Sequence, residues 1–360
     1  MEVVTSNRNV RERASSVAAR DALGRPLASL RLSVTDRCNL RCLYCMPEKH
    51  YSWLQQDHLL SFEELVRLVD IFTVLGVRRL RLTGGEPMLR QDLDLLVTLL
   101  ATNPLIEDLA LTTNGILLAE QAGALHRAGL HRVTVSLDTL RPERFFAITR
   151  RDGHARVLDG IAAARREGFS GTKIDSVIIR GVNDDELSDL IEFGRANEAE
   201  VRFIEYMDVP GATQWSLKNI VSRAEMLATL ERSYGPIAAL ASDSSAPASR
   251  FLLSDGTVFG IITSTTAPFC GRCDRSRLTA DGIWYRCLYA MTGTDLRRLL
   301  RSAAEPYEIA ARIVEVIGNE WRARADRGAE QREANHARSA FVPLDAIQRD
   351  PHFEMHTRGG

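Results

Sequence analysis

The chain has 360 residues, which is enough to bury a sizeable core in one large domain or two medium ones. Its 46 basic and 47 acidic side chains leave a net charge of -1, so non-specific nucleic-acid binding is not indicated. No apolar stretch approaches the length that a membrane span needs, and we expect neither a nucleic-acid nor a membrane partner.

Residues 1–25 mix Arg, Ser, Ala and Asn without periodicity and lack the apolar segment of a secretory signal. They predict a disordered leader. A transit peptide is the alternative, which the acidic residues Glu2, Glu12 and Asp21 disfavour. All six cysteines of the chain fall into two groups of three, and no export signal is present. That pattern predicts metal centres in a reducing compartment, the cytoplasm, rather than disulfides.

The first three cysteines follow an apolar run, 30–34, that predicts a strand. Cys38, Cys42 and Cys45 have the spacing C-x3-C-x2-C on one loop, so three thiolates can converge on one metal centre. A closed structural zinc site needs four protein ligands, and a set of three leaves a position open for chemistry. Half of a zinc site, or ordinary buried thiols, is the alternative interpretation.

Strands and helices then alternate as far as residue 210, which predicts a parallel sheet with helices outside it. Polar and glycine-rich positions follow the C-terminal ends of these strands, where barrel-type sheets build active sites. One of them is the segment 83–87, whose Gly84 and Gly85 allow backbone groups to approach a ligand closely, although a simple turn is the alternative. An open doubly wound sheet would show the same alternation. The expected strands are 30–34, 79–82, 108–112, 132–136, 173–179 and 200–206.

From residue 221 the pattern changes to a helix, a Ser/Ala/Pro-rich loop and a hairpin, followed by Cys270, Cys273 and Cys287. C-x2-C with a returning cysteine is typical of a metal site, and zinc completed by histidine or water is the alternative. Arg275 and Arg277 lie two residues apart on an extended segment and point the same way. A two-residue turn at Asp281-Gly282 would place Cys287 on the opposite face from these arginines, whereas a bulge or wider turn would not.

The first loop, with Tyr44 before its last cysteine, resembles the cluster-binding signature of radical S-adenosylmethionine (radical SAM) enzymes. The resemblance implies a [4Fe-4S] cluster whose open iron binds S-adenosylmethionine. It also implies an α/β fold: an incomplete (βα)6 barrel over 26–220 and a C-terminal α+β extension, 221–360, carrying a second cluster. By this resemblance the residues that contact S-adenosylmethionine are Tyr44, Gly85, Ser136 and Met207.

The second triad with Arg-Ser-Arg inside it, and the chain end Arg358-Gly359-Gly360, together resemble the GTP 3′,8-cyclase family of molybdenum-cofactor biosynthesis. That resemblance implies a second [4Fe-4S] cluster facing guanine and a tail, Arg358, Gly359 and Gly360, inserted into the active site. The implied reaction removes the ribose 3′ hydrogen of GTP and joins C3′ to C8. The residues implied to contact GTP are Arg31, Arg81, Thr112, Lys173, Arg275, Ser276 and Arg277.

The partners expected from this resemblance are GTP, a reductant or electron-transfer protein, the next enzyme of the pathway and a second copy of the chain. Two other functions compete with it. One is a radical SAM peptide-modifying enzyme with auxiliary clusters, which the short second triad and the Arg-Ser-Arg segment disfavour. The other is a zinc-stabilised binding module on an α/β scaffold.

Overall fold

The computed structural model describes residues 18–241, 245–326, 328, 342 and 344–359. In this part of the chain twelve strands form one sheet with the order β12-β11-β10-β1-β2-β3-β4-β5-β6-β9-β8-β7. The strands are β1 (Ser29–Ser33), β2 (Arg79–Thr83), β3 (Asp108–Thr113), β4 (Arg132–Ser136), β5 (Lys173–Ile178), β6 (Glu200–Glu205), β7 (Ala238–Leu240), β8 (Ala248–Leu252), β9 (Val258–Ile262), β10 (Arg275–Leu278), β11 (Ile283–Tyr285) and β12 (Thr294–Asp295).

Helices follow the strands as the sequence predicts, with one short additional helix, α4, between β4 and β5. Ser61 and Glu64 form a capping box at the start of α1, in which each side chain accepts a hydrogen bond from the other's backbone N–H. No helix of the described residues is long and apolar enough to cross a bilayer. The helices are α1 (Phe62–Val74), α2 (Leu93–Ala101), α3 (Leu118–Arg127), α4 (Pro142–Thr149), α5 (His154–Arg166), α6 (Leu187–Ala196), α7 (Arg223–Tyr234), α8 (Leu296–Leu300), α9 (Pro306–Arg322), α10 (Leu344–Arg349) and α11 (Met355–Arg358).

Strands β1 to β6 are parallel neighbours, and their side chains alternate between a helix-covered face and an inner face. On β1, for example, Leu30 and Leu32 are fully buried in the apolar core, whereas Arg31 between them faces inward. The inner face lines a cavity instead of a second helix layer, which excludes the doubly wound alternative. The predicted α/β fold with a six-unit parallel core is confirmed.

The C-terminal region extends this sheet at both edges. β10 pairs in parallel with β1 and continues into the antiparallel strands β11 and β12, while β9 pairs in parallel with β6 and continues into β8 and β7. The sheet is therefore continuous across residue 220, and the domain boundary expected there stays a prediction. Residues 326–344 form a strongly charged segment, most of which lies outside the described residues.

The prediction of a disordered leader over 1–25 is wrong for residues 18–25. Residues 1–17 lie outside the described residues. Asp21 and Arg25 are both buried and form an ion pair at 2.6 Å. Arg25 also donates to the backbone carbonyls of Cys270 and Asp326, both at 2.8 Å. Arg324, itself buried, lies 3.7 Å from the Asp21 carboxylate and donates to the Cys273 carbonyl. Composition alone could not reveal this order because the partners lie some 250 to 300 residues away.

We expect Asp21→Ala to destabilise the protein by about 3–5 kcal/mol, because it leaves Arg25 and Arg324 buried without their shared counter-charge. Urea unfolding of the two proteins measures this difference. The control is Glu120→Ala, which breaks the exposed ion pair with Arg156 and should change the free energy of unfolding by at most about 1 kcal/mol. Equal, small losses for both variants would show that the N-terminal segment contributes no such ion pair.

Candidate active site

All six cysteines line one cavity of about 320 Å³ at the C-terminal ends of the parallel strands. Cys38, Cys42 and Cys45 come from the loop after β1, whereas the second group lies around β10 and β11. The strand pairing explains their meeting, because β10 lies directly beside β1. A cavity of this size, lined by apolar walls and a few polar groups, is typical of a small-molecule site.

Two sets of contacts hold the first cysteine loop. Its backbone N–H groups at Arg41 and Leu43 donate to the carbonyls of Thr149 and Ile148 at the end of α4. On the other side it crosses the end of β2, where a Cβ on Gly84 would lie 2.3 Å from the Thr35 carbonyl oxygen. A Cβ on Gly85 would lie equally close to the carbonyl oxygen of Arg37. Both glycines are therefore needed for the loop to pack, whatever else they contact.

The four residues expected to contact S-adenosylmethionine all line this cavity. The Tyr44 hydroxyl donates to the Asp138 carboxylate at 2.8 Å, which fixes the phenol ring beside the loop. Ser136 ends β4, and Met207 lies two residues after the end of β6. Their common place at the strand ends agrees with the expected binding face, and their contacts with S-adenosylmethionine stay predictions.

The turn between β10 and β11 resolves the register question left open by the sequence. Arg277 pairs with Tyr285 and Leu278 with Trp284, so the turn is one residue wider than a two-residue hairpin. Gly282 takes a left-handed conformation (φ 89°) at its end, and Gly282 N–H donates to the Thr279 carbonyl. With this register Cys287 lies on the same face as Arg275 and Arg277.

Two sulfurs of the second triad lie close to Gly328. The ideal Cβ position of Gly328 lies 3.0 Å from the sulfur of Cys287 and 3.5 Å from that of Cys270, so both sulfurs flank one point. The Arg275 guanidinium donates to the Cys273 sulfur at 3.5 Å. Burial alone would raise the pKa of the Cys273 thiol, but Arg275 and Arg324 lower it to about 7.

The arrangement of the thiols suits clusters better than single metal ions. All six cysteines are free thiols. Within the described ranges no three His, Cys, Asp or Glu side chains are close enough together to hold one metal ion. In a multi-iron cluster each thiolate binds a different iron, so its ligands stand further apart than those of zinc. Burial also raises the pKa of the Cys38 and Cys287 thiols to about 12, so a bound cation would be needed to hold either one as a thiolate.

A row of arginines lies between the two triads. Arg31 on β1 pairs in register with Arg277 on β10 and with Arg81 on β2, so three guanidinium groups share one row of the inner face. Arg31, Arg275 and Arg277 line the cavity. Burial and the neighbouring Arg277 and Arg81 hold the pKa of Arg31 well below its usual value. Buried cations that repel one another favour binding of an anion.

Not every residue predicted to contact GTP reaches the cavity. Thr112 lines it and accepts a hydrogen bond from Arg81, whereas Arg81 and Lys173 are not among the residues that line it. Ser276 faces away, because its neighbours in register are the core residue Leu30 and, beyond it, Leu80. Alternate residues of a strand point to opposite faces, so the Ser276 side chain lies opposite Arg275 and Arg277, and its expected contact with GTP stays a prediction.

The C-terminal tail enters the site differently from the sequence-based expectation. Arg358 does not line the cavity. Its guanidinium donates to the carbonyls of Leu288 and Ala290 at 2.8 Å and stacks over the ring of Tyr285 at 4.2 Å. The tail backbone, however, does reach the arginine row, because Arg277 donates to the carbonyl oxygens of Arg358 and Gly359. Gly360 lies outside the described residues.

Among the residues that line the cavity but that the sequence reasoning did not select are Asp138, Asp175 and His356. Asp175 lies two residues after Lys173 on β5, so strand alternation could have found it. Asp138 follows a strand end closely, as Ser136 does. His356 lies against the rings of Tyr51 and Trp53, and burial lowers the pKa of its imidazole to about 3. No local sequence signal indicated this tail histidine, because its neighbours come from a loop 300 residues away.

Comparisons with known proteins agree with this geometry. The sequence model of the Radical SAM superfamily matches residues 32–194, and that of Molybdenum Cofactor Synthesis C matches residues 199–328. The chain is 56% identical over 345 residues to GTP 3′,8-cyclase 3 of Mycobacterium bovis, covering 95% of this chain and 90% of that protein. It is 53% identical to GTP 3′,8-cyclase 1 of Mycobacterium tuberculosis, covering 96% of both. A GTP 3′,8-cyclase of Acidothermus cellulolyticus is 48% identical over 320 residues, covering 87% of this chain and 88% of that protein.

Among solved structures, Streptococcus suis SuiB bound to S-adenosylmethionine superposes with a TM-score of 0.59. The match covers 84% of this chain and 72% of SuiB at 14% identity, so it shows the shared fold alone. The two family models together account for most of the chain, and the close relatives align over nearly all of it. The chain therefore belongs to the radical SAM superfamily and, within it, to the GTP 3′,8-cyclase family.

Proposed function

We propose that this chain is a GTP 3′,8-cyclase that carries out the first step of molybdenum-cofactor biosynthesis. It converts GTP to (8S)-3′,8-cyclo-7,8-dihydroguanosine 5′-triphosphate by removing the ribose 3′ hydrogen and joining C3′ to C8. One observation carries the proposal: both cysteine triads and three arginines, Arg31, Arg275 and Arg277, line a single cavity. A zinc-stabilised binding module would have no need for two open thiolate sets facing one another.

Membership of the radical SAM superfamily implies one [4Fe-4S] cluster and S-adenosylmethionine. We assign Cys38, Cys42 and Cys45 to that cluster and Cys270, Cys273 and Cys287 to a second one. Held by Cys38, Cys42 and Cys45, the first cluster would supply the electron for reductive cleavage of S-adenosylmethionine. The protein's own contribution is to hold the reacting atoms at near-attack distance and to exclude water.

Tyr44, Gly85, Ser136 and Met207 would bind S-adenosylmethionine next to the first triad. The Asp138 carboxylate accepts a hydrogen bond from the Tyr44 hydroxyl and so fixes its position. The backbone of the glycine pair lies against the first cysteine loop, so a shift of either would move both. These four residues come from three strand ends and one loop, which gives the ligand a rigid frame.

Arg31, Arg275 and Arg277 would bind the triphosphate of GTP, with Thr112 on the same wall. Arg81 and Lys173, on the same inner face but outside the cavity lining, would bind the end of the phosphate chain or support the arginine row electrostatically. The pKa of Lys173 is lowered to about 8 by burial and by Arg202 and Arg132, so an anion nearby would favour its charged form. Guanidinium forks suit phosphate oxygens because they donate two parallel hydrogen bonds. Ser276 could take part only through its backbone.

The tail would act through position. Arg358 ties the tail to the loop after Cys287, and the Gly359 carbonyl meets Arg277. This arrangement would orient Arg277 towards the triphosphate and close that side of the cavity. The other expected partners, a reductant or electron-transfer protein, the next enzyme of the pathway and a second copy of the chain, belong to this proposal. So does a cytoplasmic location, which the six free thiols favour.

The decisive experiment is anaerobic incubation of the iron-reconstituted protein with S-adenosylmethionine, a reductant and GTP. We expect 5′-deoxyadenosine and a cyclised nucleotide to form together over the time course. Cys42→Ala should abolish both products. Cys273→Ala should keep the first cluster and some cleavage of S-adenosylmethionine, yet make no cyclised nucleotide. If Cys273→Ala turned over at the normal rate, or both variants lost all iron, the assignment of separate tasks to the triads would fail.

Arg277→Ala should weaken GTP binding by about 1.5–3 kcal/mol, the range for a hydrogen bond to a charged group. Guanosine, which lacks the phosphates, should lose much less affinity. Equilibrium binding of both ligands to the anaerobic protein measures this. Arg275→Ala should be measured alongside it. The Arg275 guanidinium donates to the Cys273 sulfur, so its removal should also change the absorption spectrum of the second cluster. An equal loss of affinity for GTP and guanosine in Arg277→Ala would exclude a phosphate contact.

Gly359→Ala should abolish cyclisation while leaving both clusters and the folding midpoint near normal. Gly359 has φ 77°, and an added Cβ would lie 2.5 Å from the Thr83 hydroxyl and 2.8 Å from that of Ser33, so the tail must withdraw. The control is Gly256→Ala in an exposed turn, where φ is 90° but nothing lies within 4 Å of the added methyl group. That variant carries the same backbone strain and should keep full activity. Full turnover by Gly359→Ala would leave the tail without a role.

A further inference from the structure

Asp175 is an acidic side chain on the inner face of β5 that lines the same cavity as the arginines. It lies on β5, directly beside Ser136 of β4 and Arg202 of β6 in the sheet register. Its side chain is partly accessible and lines the cavity. Its Oδ1 atom is enclosed and accepts no hydrogen bond from any described residue.

Four cationic side chains act on this carboxylate electrostatically, Arg202, Arg81, Arg31 and Lys173. None of them donates a hydrogen bond to the enclosed Oδ1. Burial nevertheless raises the pKa of Asp175. The inner-face carboxylate Asp108 differs, because Arg132 binds it with two guanidinium nitrogens. Asp175 is therefore an acceptor held among cations whose hydrogen-bonding capacity the surrounding protein leaves unused.

The position of Asp175 along β5 limits which part of the substrate could donate a hydrogen bond to its carboxylate. Lys173, assigned to the phosphate side, lies two residues earlier on the same face, about 7 Å deeper. Ser136, assigned to S-adenosylmethionine, lies beside Asp175 on the neighbouring strand. The part of GTP that lies between its phosphates and the radical source is the ribose. Ribose offers hydroxyl donors, which a carboxylate accepts, whereas phosphate oxygens would be repelled.

We propose that Asp175 is a substrate-binding residue that accepts a hydrogen bond from a ribose hydroxyl, 2′ or 3′, of the bound nucleoside triphosphate. This inference rests on the proposed function. The contact fixes the sugar ring relative to the radical source, so it selects ribonucleotides over deoxyribonucleotides. A site that hydrogen-bonds a hydroxyl disfavours an analogue lacking it, because the buried acceptor is then left unpaired.

The test compares dissociation constants of GTP, 2′-deoxy-GTP and 3′-deoxy-GTP for the anaerobically reconstituted protein and its variants. In the wild-type protein one of the two deoxy analogues should bind about 10- to 100-fold more weakly than GTP, as expected for loss of a hydrogen bond to a charged group. In Asp175→Ala that ratio should fall to within about threefold. The analogue whose ratio collapses identifies the hydroxyl.

Using a ratio removes the main ambiguity. Deleting a negative charge strengthens binding of any triphosphate, but by the same factor for all three nucleotides, so the ratio reports the hydroxyl contact alone. Asp175→Asn keeps an acceptor oxygen without the charge and should give an intermediate ratio, and it also covers the case that Asp175→Ala folds poorly. Asp108→Asn removes a carboxylate from the same face and should leave the ratio at its wild-type value.

Wild-type ratios that persist for both analogues in Asp175→Ala and Asp175→Asn would overturn the inference. So would the absence of any discrimination in the wild-type protein. Failure of the proposed function is a separate result, since it would appear as wild-type protein that makes no cyclised product from GTP. A collapse of the ratio in Asp108→Asn as well would assign the effect to general electrostatics and also overturn the role of Asp175.

Discussion

The site depends on the parallel pairing of β10 with β1. These strands are separated by some 245 residues of chain, yet Arg31 pairs directly with Arg277. This one pairing places the second cysteine triad against the first and puts three guanidinium groups in one row. The wider turn before β11 then decides which face Cys287 takes, because a shift of one residue in register turns every side chain to the other side of a sheet. Neither triad would face the other without both features.

The arginine row has an energetic consequence for the protein. Burial and repulsion by neighbouring arginines lower the pKa of Arg31, Arg81 and Arg277. Such an arrangement destabilises the empty fold, and an anionic ligand offsets that cost by supplying counter-charge inside a dry cavity. Part of the binding free energy of a triphosphate would thus come from relief of repulsion already present. Proteins commonly keep such local conflicts at functional sites and compensate for them elsewhere.

In this protein, buried arginines around the second triad stabilise the site from two sides. Asp21, Arg25 and Arg324 form a buried ionic group that holds the carbonyls of Cys270 and Cys273. On the opposite side Arg358 holds the carbonyls that follow Cys287. Both ends of the described chain therefore brace the second triad. Arginine suits this task because its planar fork donates to several carbonyls at once.

Local spacing in the sequence determined a large part of this protein. The six strands, the capping box at Ser61, the two cysteine triads and the family resemblance all follow from residues close together in the chain, since propensity, periodicity and metal-ligand spacing are local properties. Only the tertiary structure decided which side chains share the cavity. Ser276 and Arg358 turned away from it, residues 18–25 proved folded, and Asp175 and His356 joined it, because strand register and contacts across hundreds of residues set the direction of a side chain. Those quantities depend on how the whole sheet pairs, and no short stretch of sequence contains them.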